Sequence, residues 1–314
     1  MSDNVHEVYA VRYAHHDRKA EENYIGGDLH DVLQPLAYFV WAIVGAHGTV
    51  VVDTGFDRAM ATKRGRTMVN PIADGLKAIG IQADTVQDVI VTHLHYDHCG
   101  NYDTFPKARY HLQDDEMAYA TGRYMRHAHQ RVPFEVDDVV AMVRKVFAER
   151  VMFHDGDDQI APGITVHRIG GHSKGLQCVR VNTKRGHVVL AADGSHLYSH
   201  INEGRVFPIT YCVGDVLEGY ATIKRLADSP DHIVPGHDPS RADALARNTS
   251  LQTLRLIDNK LGDEGARAMS DALVSNATLT TLDLSGNRVT DAGARALAGS
   301  IAINSTLTEL YLHY

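Results

Sequence analysis

The sequence Thr92-His93-Leu94-His95-Tyr96-Asp97-His98 places three imidazoles and one carboxylate within six residues. It follows Asp88-Val89-Ile90-Val91, an apolar run that predicts a buried strand. On an extended chain His93, His95 and Asp97 face the same way, and the last imidazole joins them as the chain turns. Imidazoles and a carboxylate without a thiolate are typical ligands of Zn²⁺ or a similar divalent ion. The stretch therefore predicts a metal site at a strand end.

The alternative is that these are surface histidines, since the chain contains 20 histidines. A cluster directly after a buried strand is not a scattered set, and this favours the metal site. The neighbouring Cys99 is either a ligand or nucleophile, or a small packed side chain. Packing is the more common role of such a cysteine and is favoured here.

The composition argues against several classes of protein. A net charge of −8 and the lack of a basic stripe argue against binding to nucleic acid. The longest apolar run, residues 36–44, is too short to span a bilayer, and residues 1–4 do not resemble a signal peptide. The three cysteines are far apart, so we expect no disulfide framework and a cytoplasmic location.

Patterns along the chain predict alternating strands and helices. Apolar runs predict strands over residues 36–44, 49–52, 88–92, 108–112, 164–169, 176–181 and 187–191, and a short one within 231–238. Helical spacing predicts helices from the Asn70 N-cap to Gly80, after Asp114, over 136–147 and over 215–228. The polar residues 1–35 indicate no clear element. The order predicts a mixed sheet with helices packed outside, and residues 102–150 as a mostly helical insertion.

Two features of this region leave alternatives open. Asp53-Thr54-Gly55 follows the strand over 49–52. Asp53 either orients a neighbouring site as a hydrogen-bond acceptor, or the three residues simply form a turn, for which Asp and Gly are common. Large side chains of the insertion either line an apolar substrate pocket or, as is more common, pack in the core. These side chains are Tyr119, Tyr124, Met125, Phe134 and Met142.

Three more polar residues follow other predicted strands. His172 lies in the glycine-rich exit Gly170-Gly171-His172-Ser173, Asp193 follows the strand over 187–191, and His237 ends the strand within 231–238. Each alone is more often structural than a ligand. Together with the cluster at 92–98 they place further possible ligands at strand ends, as a site at one rim of a sheet requires.

The motif His93-x-His95-x-Asp97-His98, followed by His172, Asp193 and His237, resembles the ligand set of the metallo-β-lactamase superfamily. Within it, Thr92 to Asn101 is similar to the signature of N-acyl homoserine lactonases and related lactonases. The resemblance covers roughly residues 5–239 and implies an αββα sandwich with two metal ions, expected to be Zn²⁺, at its rim. It assigns His93, His95 and His172 to one ion, Asp97, His98 and His237 to the other, and Asp193 to both.

The sequence departs from these lactonases at one position near the chemistry. The best-known members have a tyrosine three residues after the bridging aspartate, where this chain has His196, followed by Tyr198. Either side chain is a candidate donor to a developing oxyanion, and packing or solvent exposure is the alternative for both. The resemblance also gives Asp97 a second role, moving a proton to the leaving oxygen.

A 28-residue period appears after residue 242. The segment from Asn248 to Asn259 recurs from Asn276 to Asn287 and begins a third time at Asn304. It resembles leucine-rich repeats of the ribonuclease-inhibitor type, with one strand and one helix per repeat. We expect Leu307, Leu310 and Leu312 to leave an apolar end open, and residues 240–247 to form a helix after the His237 loop.

The sequence as a whole predicts an α+β fold with a metallo-β-lactamase sandwich over residues 1–239 and a short α/β repeat segment over 240–314. The expected activity is the opening of a lactone ring, as in quorum quenching, by a hydroxide that two zinc ions share. One alternative is a thioesterase or esterase of the glyoxalase II kind. Another is a non-catalytic scaffold that binds protein partners through the repeats.

Overall fold

The computed structural model describes residues 4–30, 32–239, 251–259 and 261–313. The chain forms two compact units, Met1–Asp238 and Pro239–Tyr314. No helix in the described ranges is long and apolar enough to cross a membrane. The domain boundary predicted between residues 239 and 240, and the helix predicted over 240–247, involve residues outside these ranges and stay predictions.

The first unit alternates strands and helices. Its strands are β1 Glu7–His16, β2 Leu36–Gly45, β3 Gly48–Val52, β4 Thr67–Met68, β5 Asp88–Ile90, β6 Arg109–Gln113, β7 Val151–His154, β8 Asp158–Ala161, β9 Ile164–Arg168, β10 Gln177–Thr183, β11 Gly186–Ala192 and β12 Ile233–Pro235. Its helices are α1 Arg58–Arg64, α2 Ile72–Ala78, α3 Tyr96–Cys99, α4 Asp114–Ala120, α5 Ala128–Arg131, α6 Val136–Phe147, α7 Tyr198–Glu203 and α8 Val213–Leu226.

These strands form two sheets whose polar loops meet at one rim. Seven strands follow the order β4-β1-β2-β3-β5-β6-β7, and five follow the order β12-β11-β10-β9-β8. In the first sheet β3, β5, β6 and β7 are parallel, and in the second β11 and β12 are parallel. Parallel strands end at the same edge of a sheet. The loops after β3, β5, β11 and β12 contain the predicted site residues.

Strand β2 lies at the centre of the sandwich because both of its faces are apolar. Phe39, Trp41 and Ile43 point into the core between the sheets, where they meet side chains of β9, β10 and β11. The alternate residues Tyr38 and Val40 belong to the core under α2 and α6. A third core joins the second sheet to α8. The order helix, sheet, sheet, helix confirms the predicted αββα sandwich.

Most predicted elements agree with the structure, but strands β4, β7 and β8 and helices α1 and α7 were not predicted. Residues 1–35, left without an assignment, contain the ten-residue strand β1, which pairs antiparallel with β2. Its charged and polar side chains mask the alternation, and β2 provides the pairing that the local pattern does not reveal. The N-cap predicted at Asn70 is wrong, because helix α2 begins one residue later, after Pro71 in an extended conformation.

The second unit contains the repeats. Strands β13 Thr253–Arg255, β14 Thr281–Asp283 and β15 Glu309–Tyr311 form a parallel sheet, and helices α9 Gly262–Ser275 and α10 Asp291–Ile301 follow the first two. Leu254 pairs with Leu282, and Leu282 with Leu310, so each repeat pairs with the next at the predicted period.

The open apolar end of this unit is partly covered. The side chains of Leu307, Leu310 and Leu312 are half-buried against the core of the repeats. Asn287 links two repeats, because its amide donates to the carbonyl oxygens of Leu256, at 2.6 Å, and Leu284, at 2.8 Å.

The core between the sheets generates a stability prediction. Phe39 is 4% exposed, and Phe39→Ala should lower the free energy of unfolding by about 3–5 kcal/mol, because it leaves a cavity. Urea unfolding followed by the fluorescence of Trp41, the single tryptophan, measures this loss in the same core. Phe147→Ala is the control, since Phe147 is 87% exposed and its loss should cost about 0.5 kcal/mol or less. Equal losses in the two variants would contradict the assignment of this core.

Candidate metal centre

The predicted ligands converge although they come from distant parts of the chain. The loop after β5 and helix α3 supply His93, His95, Asp97 and His98, and the other three residues follow β9, β11 and β12. Their nitrogen and oxygen atoms form two buried groups within which the ligand atoms lie within 4.8 Å of one another. The first group is His93, His95 and His172, and the second is Asp97, His98, Asp193 and His237.

Asp193 lies between the two groups and turns one oxygen toward each. Its Oδ2 atom is 3.1 Å from His172 Nε2 and 3.9 Å from His93 Nε2. Its Oδ1 atom is 2.9 Å from His237 Nε2 and 3.2 Å from His98 Nε2. A carboxylate in this position has the geometry expected of a bridge between two cations.

Contacts outside the cluster determine which ring nitrogen faces it. The Nδ1 atoms of His172 and His237 lie 2.7 Å and 3.0 Å from the carbonyl oxygens of Ile209 and Ala37. A carbonyl oxygen only accepts, so each Nδ1 carries a proton and each Nε2 is the ring nitrogen that faces the cluster. Such contacts are the usual means of fixing the tautomer of a ligating histidine.

Asp53 orients the cluster from the end of β3. Its carboxylate accepts from the backbone N–H of Thr92 at 2.7 Å and from the Thr92 hydroxyl at 2.9 Å, and it lies 2.7 Å from His98 Nδ1. These contacts confirm the interpretation that Asp53 orients a site residue. The Asp53 backbone has a φ of 66° and that of Ala192, before Asp193, a φ of 46°. Left-handed backbone costs about 1 kcal/mol at such residues and is found preferentially at functional sites.

The electrostatics divide the imidazoles into two sets, because Asp193, against the effect of burial, raises the pKa of His98 and His237. Burial lowers the pKa of His93 and His95 well below the usual value, and neighbouring imidazoles lower it further. Burial alone would raise the pKa of Asp193, but His237 and His98 lower it to well below its ordinary range. Neutral imidazole and carboxylate are the protonation states that bind metal.

Three buried ligand atoms, His93 Nε2, His98 Nε2 and Asp193 Oδ1, lack a hydrogen-bond partner in the described part of the chain. His93 is fully buried. Buried polar atoms without partners are rare and require an explanation, such as an ion. The donor set and these unpartnered atoms fit a pair of divalent cations.

Glu116 is a site residue that the sequence reasoning missed. This fully buried carboxylate of α4 accepts from Leu94 N–H at 2.8 Å, from the Ser173 hydroxyl at 2.6 Å and from Gly175 N–H at 3.0 Å. It thereby joins the loop of His93 and His95 to the loop of His172. Three acidic residues at the start of α4 suggest only a helix N-terminus, so no local signal separates Glu116 from its neighbours.

The loop that contains His172 also contains a second sequence motif, centred on Ser173. Gly171-His172-Ser173-Lys174-Gly175 has the spacing of a serine nucleophile elbow, which requires a turn from a strand into a helix. Here the motif connects strand β9 to strand β10, and the buried Ser173 hydroxyl donates to Glu116. Ser173 therefore links two loops of the metal centre.

Cys99 is a packed core side chain, which is the role that the sequence favoured. Its side chain is fully buried in the core under the helices, and burial raises the pKa of its thiol well above the usual value. The residue is absent from the groups of possible ligands found in the described ranges.

The two candidate donors after Asp193 have different positions. His196 reaches the cluster, because its Nε2 atom is 3.0 Å from Asp193 Oδ2 and its ring stacks on Phe207 with 3.9 Å between centroids. Tyr198 starts helix α7, and its hydroxyl donates to the carbonyl oxygen of Ile233 at 3.2 Å.

A pocket opens beside the first group of ligands, on the side of the helical insertion. Tyr119 lines it, and the buried ring of Phe134 lies 4.6 Å from that of His95. Met142 is fully buried in the core, as the packing alternative predicted, and Met125 packs against that core. Tyr124 is half-exposed and lies against Tyr211, which also lines the pocket. The insertion thus supplies both core and pocket side chains.

The family model of the metallo-β-lactamase superfamily matches residues 30–259. The chain belongs to this superfamily. A leucine-rich repeat model matches residues 275–298, which supports the repeat segment.

Curated relatives of this superfamily member are N-acyl homoserine lactonases. One from Agrobacterium fabrum, AiiB, is 27% identical over 187 residues, which are 57% of this chain and 66% of the relative. The lactonase AiiA of Bacillus thuringiensis subsp. kurstaki is 24% identical over 212 residues, 61% of this chain and 77% of the relative. This chain thus covers slightly less than two thirds of the AiiB sequence.

Solved structures agree on the fold. A quorum-quenching N-acyl homoserine lactone lactonase has a TM-score of 0.63 at 21% identity, covering 77% of this chain and 95% of its own. AidC, described as a dizinc quorum-quenching lactonase, has a TM-score of 0.60 at 15% identity, covering 76% and 90%. At these identities the likeness establishes the αββα fold alone.

The hydrogen bonds of Glu116 to two loops of the metal centre lead to a prediction about stability. Glu116→Gln replaces one accepting oxygen with an NH₂ group that faces a donor, and it should destabilise the metal-free protein by about 1–3 kcal/mol. Chemical denaturation after exhaustive chelation measures this change. Asp114→Asn, at an exposed position of the same helix, should cost about 0.5 kcal/mol or less. A Glu116→Gln variant as stable as the control would show that Glu116 does not hold the loops together.

Proposed function

We propose that the first unit is a hydrolase with two metal ions that opens lactone rings of the N-acyl homoserine lactone type. The observation that carries this proposal is the position of Asp193, with one oxygen toward each buried group of donors. The curated relatives of this chain are named N-acyl homoserine lactonases, which supports N-acyl homoserine lactones as the proposed substrate class.

The proposed ligands follow the two groups in the structure. His93, His95 and His172 would hold one ion, Asp97, His98 and His237 the other, and Asp193 both. When bound, two divalent ions, with Zn²⁺ as the expected metal, would polarise the ester carbonyl and acidify water. Imidazole and carboxylate ligands also suit iron, manganese or cobalt.

Asp97 is proposed to move the proton. Its Oδ2 atom lies 3.6 Å from His237 Nε2 and 3.7 Å from His98 Nε2, and its carboxylate is only slightly exposed at the rim. Tyr13 fixes the residue by donating to the Asp97 carbonyl oxygen at 2.7 Å. A carboxylate held there can take a proton from the attacking water and pass it to the leaving alkoxide.

His196 is proposed to stabilise the developing negative charge on the ester oxygen. Stacking on Phe207 holds the imidazole beside Asp193, so its N–H is oriented before the substrate binds. Donors oriented in advance are the largest single contribution in many acyl-transfer sites. His196 lies beside Asp193, whereas the Tyr198 hydroxyl donates to the carbonyl oxygen of Ile233, so His196 is the stronger candidate and the catalytic role of Tyr198 stays a prediction.

Substitution of a ligand tests the proposal. His93→Ala or His172→Ala should remove tightly bound metal and lower lactone opening by at least ~100-fold, since even outer partners of a metal ligand contribute 10–100-fold. Elemental analysis and a pH-stat assay measure the two effects. His127→Ala, at an exposed position of the insertion, is the matched control and should change neither. Full activity after dialysis against a chelator would contradict the metal-dependent reaction.

A substrate comparison separates lactone opening from the alternatives. The holoenzyme should open N-acyl homoserine lactones faster than it cleaves S-lactoylglutathione, because a strained ring ester needs less help at the leaving group. The reverse order would favour a thioesterase of the glyoxalase II kind. Near-zero metal per chain and no turnover would favour the non-catalytic scaffold, whose protein partners would bind the repeats.

His196 generates a separate kinetic prediction. His196→Phe should lower kcat by about 10²–10³-fold, the cost of removing one donor to an oxyanion, with metal content unchanged. Tyr198→Phe is the paired variant and should change kcat by less than about threefold. If Tyr198→Phe carries the large loss and His196→Phe the small one, the donor is Tyr198.

A further inference from the structure

A group of basic and phenolic side chains lies beside the metal centre, on the side of Asp97 and His237. We name Arg18, Arg66, Tyr38 and Tyr96 the basic cluster. Arg66 Nε donates to the Tyr96 hydroxyl at 3.0 Å, and Tyr96 directly precedes Asp97 in α3. The Tyr38 ring lies 4.9 Å from the ring of His237.

Strand pairing assembles the basic cluster. Strand β1 pairs with β4 at His15 and Thr67, which places Arg66 next to the end of β1. The same strand pairs with β2 at His16 and Leu36, so the chain that leaves β1 runs through Arg18 near Tyr38. The arginines therefore sit on the sheet that supplies the rim of the metal centre.

The hydrogen bonds of the two guanidinium groups go to carbonyl and hydroxyl oxygens. Arg18 Nη2 donates to the carbonyl oxygen of Glu22, and Arg66 Nη1 donates to the carbonyl oxygen of Arg64 at 2.7 Å. Neither arginine forms an ion pair with a carboxylate in the described part of the chain. Arg18 Nε is buried and has no hydrogen-bond partner among the same residues. Half-buried guanidinium groups are stabilised by an anion that accepts from their free N–H groups.

Two carboxylates in the described part of the chain act on the arginines without forming an ion pair with them. Glu22 and Asp97 are the carboxylates that face the two arginines. Glu22 is exposed and its Oε2 accepts from the backbone N–H of Lys19 at 2.9 Å, and Asp97 is a proposed metal ligand. Burial and then the charges of Arg66 and Arg18 lower the pKa of His16 to about 4, so this imidazole is neutral and adds no further positive charge.

The two sides of the metal centre differ in character. The pocket beside His95 and His172 is lined by Tyr119, Tyr211 and other residues, with no lysine, arginine or carboxylate among those described. The side of Asp97 and His237 contains two half-buried guanidinium groups and two buried phenols. Planar guanidinium groups recognise carboxylates through paired N–H donors, which an acyl chain cannot satisfy.

We propose that the basic cluster binds a carboxylate of the substrate, and that this enzyme prefers lactones with an anionic group over neutral ones. The preference rests on the proposed lactone-opening function. The ester carbonyl would lie at the metal centre and the carboxylate would lie between Arg18 and Arg66.

The test compares two lactones that differ in one group. One bears an amide-linked tail that ends in a carboxylate, and the other has the isosteric carboxamide at that end. At low ionic strength the holoenzyme should have a kcat/KM about 10–100-fold higher for the carboxylate, the size expected of charge-assisted hydrogen bonds. Added salt should reduce this ratio, because it screens half-exposed charges.

The double variant Arg18→Gln/Arg66→Gln should lose this preference. Its kcat/KM for the carboxylate should fall at least tenfold, and its kcat/KM for the carboxamide should change less than threefold. Arg58→Gln is the matched control, because it removes one positive charge from an exposed position of α1. Equal rates on the two lactones in the unmodified enzyme, or equal losses on both in the double variant, would overturn the proposal.

A second measurement separates this proposal from the proposed function. If the holoenzyme opens neither compound, lactone opening fails, and the two uncleaved lactones become ligands for calorimetry. Tighter binding of the carboxylate that disappears in the double variant would still support the basic cluster as an anion site. Equal affinity for both compounds would overturn it.

Discussion

The structure depends on one buried carboxylate, that of Asp193, and on the imidazoles that surround it. A charge in a protein interior costs several kcal/mol unless groups of opposite charge compensate it. Here His237 and His98 lie near one oxygen and His172 near the other. Asp193 therefore stays ionised in the core and can be shared by two cations.

The scaffold around Asp193 serves to bring distant loops to this point. Strands of both sheets end at the same rim, and left-handed backbone at Asp53 and Ala192 turns the chain into the site. Asp53 holds the loop after β5, and Glu116 connects that loop to the loop of His172. Both carboxylates are fully buried and act on the site through hydrogen bonds to its loops.

Much of this arrangement could be predicted from the sequence because its signals are local. The apolar run over 36–44 predicts a strand buried on both faces, and the histidine motif follows directly from the strand before it. The repeat period predicts the pairing of Leu254 with Leu282. The features that the sequence did not predict depend on contacts between residues that are far apart in the chain. Strand β1 is defined by its partner β2, and Glu116 differs from its acidic neighbours only through its three hydrogen-bond donors.

The basic cluster is another feature that only the fold reveals. Arg18 and Arg66 are 48 positions apart in a polar part of the chain, where arginines are expected on the surface. Pairing of β1 with β4 brings them together beside the metal centre. The same sheet thus forms both the metal centre and the basic cluster, to which we propose separate roles in the chemistry and in the choice of substrate.

X-ray absorption at the metal edge, combined with metal stoichiometry, tests the central claim most directly. The account predicts two ions per chain, with only nitrogen and oxygen neighbours at about 2.0–2.2 Å. A sulfur neighbour at about 2.3 Å, as a ligating cysteine such as Cys99 would produce, would contradict it. A single ion per fully loaded chain would contradict the role of Asp193 as the residue shared by two cations.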